Sequence, residues 1–148
     1  MEIPIPWYEP HMRPFSLSKQ TVLLWWACWW LFLVLWTIGL LRPEPIQLQH
    51  HLISPSLGWI TAKGLHMGVY ALLALFASLL PSSPSFKLFC FIILMVHAFA
   101  TEFLQQWVKE RTGSLSDVAI DLLGVALGLG VWKLYRWFGK AKKKAPSR

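Results

Sequence analysis

Four apolar runs decide what this chain can fold into. A hydrocarbon core of about 30 Å takes roughly twenty consecutive apolar residues to cross as a helix. The first run, 21–41, is apolar throughout. The second, 64–80, is at the short limit. The third, 86–107, is interrupted near its end by Glu102, and the fourth, 115–138, carries Asp117 and Asp121 in its first two turns. Only a helix or a closed barrel satisfies the backbone in lipid, and runs of this length point to helices. The expected fold is therefore all-α, an integral membrane four-helix transmembrane bundle. Residues 1–20 would be an N-terminal flank, 21–138 the membrane domain and 139–148 a basic tail.

The balance of residues agrees. The chain is 55% hydrophobic and 14% charged, where a soluble domain has about a quarter charged residues. The net charge of +7 does not point to nucleic acid, because seven of the fourteen Lys and Arg lie within 133–148. Such a tail beside an apolar segment indicates membrane orientation or attraction to anionic lipid. The lipid bilayer is thus the expected partner and nucleic acid is not. Cys28 and Cys90 both fall inside apolar runs without a metal or redox spacing, and are expected to be small buried hydrophobes.

Four spans put both termini on one side. That side collects Arg13, Lys19, Lys87 and the tail, ten cations against the four at Arg42, Lys63, Lys109 and Arg111. The positive-inside rule then predicts cytoplasmic termini. The first run is expected to be an uncleaved signal anchor, since it exceeds a normal signal core and the residues after it suit cleavage poorly. Trp59 and Trp107 mark the outer boundary, and Trp132 and Trp137 the inner one. Trp25, Trp26, Trp29 and Trp30 suit either an interfacial belt or a packing face. The connection 42–61 holds Pro43, Pro45 and Pro55, which predicts an irregular loop. Its adjacent His50 and His51 are expected to be solvated rather than metal-bound.

Three polar motifs then fall at one end of the bundle. Lys63, His66 and Tyr70 share a helical face at offsets of three and four. Lys63 is expected to snorkel to the headgroups while His66 and Tyr70 point inward. Glu102 and Gln105 share a face, and Glu102 lies about 24 Å along its helix, inside the outer edge of the bilayer. His97 projects roughly 140° away from Glu102, which makes it a hydrogen-bonded packing residue rather than part of this patch. The fourth run is entered through Arg111 and Gly113, with Ser114 or Ser116 as its cap and Asp117 at its positive end. Asp121, one turn deeper, continues into Gly124 and Gly128, a spacing that lets a neighbouring helix come close. Ionisable groups at membrane depth are costly and mark function. With Lys63 and Arg111 set against Glu102, Asp117 and Asp121, the patch is nearly neutral. Two cations competing for the carboxylates argue against a divalent metal, and no cofactor is expected.

The series Lys63-x-x-His66-x-x-x-Tyr70, Glu102-x-x-Gln105, Arg111-Thr-Gly-Ser-x-x-Asp117 and Gly124 resembles the VanZ-like family of bacterial membrane proteins, across 62–128. The family usually carries Asn where this chain has Asp121. The resemblance implies a small multi-helix protein of the cell envelope, in a family named for resistance to teicoplanin-type glycopeptides. It implies no particular chemistry.

Three functions fit these residues. In the first, Arg111, Lys63 and His66 hold an anionic lipid headgroup or envelope glycolipid, with Tyr70 and Gln105 lining the site and Glu102, Asp117 and Asp121 orienting the cations. In the second, the chain is an enzyme acting on a lipid-linked phosphate, with His66 or Glu102 as general base. In the third, the network only ties the helices together or to a membrane-protein partner or a second copy.

Overall fold

The structure, a computed structural model, describes residues 18–42, 55–109 and 113–144. Four helices account for almost all of them: α1 (Lys19–Leu40), α2 (Pro55–Leu79), α3 (Pro84–Gln105) and α4 (Leu115–Lys144). Each is long and apolar enough to cross a membrane, and no strand occurs among the described residues. The expected all-α four-helix bundle is the observed one.

Local chemistry explains where the helices start. Ser18 caps α1 through the Thr21 amide at 3.1 Å. Ser83 does the same for α3 through Phe86, with Pro84 in the first turn, where its missing N–H costs nothing. Proline also opens α2. The helix starts at Pro55, not at Gly64, so 55–61 is helical rather than part of the loop expected across 42–61. Proline disrupts a helix interior but suits its first position. His50, His51, Pro43 and Pro45 lie outside the described residues.

The helices run up and down, so the start of α2, the end of α3 and the start of α4 meet at one end. The end of α1 joins them, because Gln105 donates to the Leu40 carbonyl at 3.3 Å. α2 and α4 form the most extensive pair, and glycine is the reason. A methyl group at Gly124 would lie 2.3 Å from the Met67 carbonyl oxygen, and one at Gly128 would lie 2.2 Å from that of Ala71. No other residue allows so close an approach.

α1 packs through a stripe of Trp29, Leu33, Trp36 and Leu40, at offsets of four, three and four. Of its four clustered tryptophans, Trp29 is fully buried and donates to the Leu73 carbonyl at 2.9 Å, and Trp26 packs edge-on against Phe86. Trp25 and Trp30 are exposed. The cluster is thus half packing face and half outward surface. Cys90 is buried, but Cys28 is exposed on the outward side of α1, contrary to expectation. Being buried by lipid and being buried by protein look alike in an apolar run. The outward side of α3, with Ile92, Val96, Phe99 and Phe103, is equally bare and apolar, as a lipid-facing surface should be.

At the far end of the bundle Lys87, in the first turn of α3, donates to the Ser78 carbonyl at 2.6 Å and lies 5.6 Å from the Trp132 ring centre. Arg136 approaches the same ring at 5.1 Å. These contacts close the end of α2 and hold it to α4.

Candidate functional site

The close α2–α4 contact sets the site. With Gly124 seated on Met67 and Tyr70, the preceding turn of α4 brings Asp121 against His66. The His66 Nδ1 lies 3.1 Å from Asp121 Oδ1. A carboxylate only accepts, so Nδ1 carries the proton and donates. One turn further out, Lys63 is ion-paired with Asp117. Its ammonium also lies 5.8 Å from the Trp59 ring centre. Lys63 is therefore paired with a carboxylate while part of its side chain stays open at the rim.

Glu102 arrives from α3. Its Oε2 accepts the Ser114 amide at 2.8 Å, which ties the end of α3 to the start of α4. Gly113 makes this possible, since a side chain there would strike the Glu102 carbonyl oxygen at 1.8 Å. Ser114 is the cap, its hydroxyl accepting from the Ser116 amide at 3.1 Å.

His66, Glu102 and Asp121 thus converge, each with one nitrogen or oxygen within 4.8 Å of the others'. Both carboxylates are buried, Asp121 at 0% exposure and Glu102 at 3%. Each keeps one oxygen, Asp121 Oδ2 and Glu102 Oε1, without a hydrogen-bond partner among the described residues. The Trp36 indole N–H from α1 also lacks a partner there, while its ring stands edge-on to His66 at 5.5 Å between centres. Buried polar groups are seldom left unsatisfied, so this end has open acceptors beside an open donor.

Of two further expected site residues, Gln105 bonds away from the cluster, whereas Tyr70 bonds His97 and also stands close to Asp121. Gln105 is buried but bonds to the end of α1. Tyr70 is buried and bonds His97 Nδ1 at 2.8 Å. His97 Nε2 in turn lies 2.8 Å from Thr37 Oγ1, whose own proton goes to the Leu33 carbonyl at 2.8 Å. With the Thr37 proton on the Leu33 carbonyl, Thr37 accepts from Nε2–H and Nδ1 accepts from the tyrosine. As its helical angle predicts, His97 is a hydrogen-bonded packing residue. Arg111 lies outside the described residues. Trp36 is the residue that sequence reasoning missed; its place in the α1 stripe with Trp29, Leu33 and Leu40 is the signal that would have found it.

Fold and site together define a small multi-pass membrane protein with ionisable side chains gathered at one end of a four-helix bundle. The family model described as VanZ/LLP1 matches residues 9–136, and the chain belongs to that family. The match takes in the N-terminal segment, which lay outside the stretch that resembled the family by motif. Neither the curated proteins nor the solved structures include a match.

Proposed function

We propose that this end of the bundle binds the polar headgroup of an anionic lipid or envelope glycolipid. The reading rests on one observation: where four helices meet, acceptors on buried Glu102 and Asp121 and a donor on Trp36 have no partner among the described residues. A headgroup bearing hydroxyls and phosphate supplies both kinds of partner. Away from water each such bond is worth more than at a surface. Lys63 stands at the rim, 21% exposed, and with Arg111 it supplies charge for a phosphate. The positive-inside bias supports a site in the outer leaflet of the plasma membrane, with both termini cytoplasmic. Family membership supports a role in the cell envelope, and in glycopeptide resistance if headgroup capture alters the envelope. Native mass spectrometry of the purified chain with phospholipids and lipid-linked phosphates tests the binding. Retention should fall in Arg111→Ala and further in Lys63→Met with Arg111→Ala. Equal retention by all three proteins would sink the proposal.

One observation favours a second reading, an enzyme acting on the phosphate of such a lipid. His66 is held through Nδ1 by a buried carboxylate, the arrangement that orients an imidazole for general-base work. Turnover of a lipid phosphate lost in His66→Ala, with lipid retention intact, separates catalysis from binding.

A further inference from the structure

We propose that His66, Glu102 and Asp121 form a binding site for a divalent transition-metal cation of the Zn²⁺ class. The proposal does not depend on a lipid ligand.

The three residues come from three different helices, and their ligand atoms lie within 4.8 Å of one another. Around a tetrahedral ion with bonds of about 2.1 Å, ligand atoms stand about 3.4 Å apart. The His66 Nδ1–Asp121 Oδ1 separation of 3.1 Å is already close to that edge. Glu102 lies within the same 4.8 Å, and its anchored Oε2 leaves Oε1 free among the described residues.

Charge points the same way. Asp121 and Glu102 are buried carboxylates, and each has an oxygen without a partner among the described residues. Burying a carboxylate away from water is costly unless a cation or several donors offset it. Lys63 does so only in part, because it is paired with Asp117. The competition expected from two lysine and arginine cations is therefore weaker at this inner triad than the sequence implies. A divalent ion balances both carboxylates and takes the place of the proton between His66 and Asp121.

The ligand set selects the ion. One imidazole with two carboxylates suits Zn²⁺, Mn²⁺ or Fe²⁺, whereas Ca²⁺ and Mg²⁺ prefer oxygen alone. Three protein ligands leave a fourth position open, as sites that bind or activate an oxygen ligand do. The site lies between the rim pair Lys63–Asp117 and the packed interior at Gly124.

The test uses the full-length protein in detergent, stripped with chelator and free of added lipid. Zn²⁺ and Co²⁺ titrations, read by calorimetry and by the visible spectrum of Co²⁺, should show about one site per chain. Excess Mg²⁺ should not compete. Glu102→Gln and Asp121→Asn preserve shape and should each weaken Zn²⁺ by at least about a hundredfold, the upper range for outer-sphere partners alone. Uptake unchanged in both variants overturns the proposal. No saturable uptake does so too, meaning that a proton shared by the carboxylates, or Arg111, fills the gap. Because a variant that misfolds reports nothing, pulsed EPR on the native chain loaded with Cu²⁺ or Mn²⁺ gives a second readout. One coordinated imidazole supports the site. None, or two, overturns it, and two would place the ion at His50 and His51. Failure of lipid retention leaves these readouts untouched, so the two proposals fail separately.

Discussion

Two histidines, one helix apart, sit in two different polar networks. His97 lies in a closed chain. Tyr70 donates to it, it donates to Thr37, and Thr37 donates to the Leu33 carbonyl. Each proton has an acceptor and three helices are joined, with Asp121 close enough to act on both Tyr70 and His97. His66 lies in an open cluster. It meets one carboxylate, stands near a second, and oxygens of both remain unpartnered among the described residues. A closed chain has nothing to offer a ligand and is sufficiently explained by helix packing. An open charged cluster in a low-dielectric setting is costly to keep, which makes it the functional candidate. The comparison also shows that membrane depth alone does not separate structure from function. The count of satisfied donors and acceptors does.

The largest effect should come from the α2–α4 contact that sets the open cluster. Gly128→Leu forces a side chain into the Ala71 backbone and should cost about 3 kcal/mol by overpacking. Thermal unfolding in detergent should fall markedly, and an unchanged Tm would mean that α2 and α4 are not in close contact. His97→Leu should cost about 2 kcal/mol, because it strands the buried Tyr70 hydroxyl. Metal uptake and lipid retention should survive it; losing them in a folded variant would erase the distinction between the networks. Tyr70→Phe removes a single donor and should cost about 1 kcal/mol. Asp121→Asn should move stability least, by roughly 0.5 kcal/mol and in either direction, because removing a buried carboxylate offsets the weakened hydrogen bond to His66. The same change should abolish the function of the His66 cluster. A large loss of stability there would assign the open cluster, like the closed one, to structure.

Much of the architecture is legible in the sequence. Run length and hydropathy foretell four helices because a bilayer demands them. The Gly124–Gly128 spacing foretells the tight helix contact, and the angle of His97 separates it from Glu102. Pro55 misleads, since a proline can either break a helix or begin one, depending on the residues after it. The motifs group Lys63, His66 and Tyr70 correctly on one face. They cannot say that the three diverge, Lys63 to Asp117, His66 to Asp121 and Tyr70 to His97. One face of a helix in a bundle touches two neighbours, and a shift of one turn changes the partner.

The sequence by itself determines a multi-pass helical membrane protein with ionisable residues at one end, because span length and the cost of intramembrane charge depend on composition and spacing alone. Which of those residues balance each other was decided only by tertiary structure. The glycine contact sets the depth at which α4 meets α2. Gly113 lets the chain fold back onto the end of α3, and α1 brings Trp36 from far away in sequence. Hydrogen bonds form over about 3 Å, a distance that spacing along a helix cannot resolve between neighbours. The open oxygens of Glu102 and Asp121 therefore appear only once the four helices are packed.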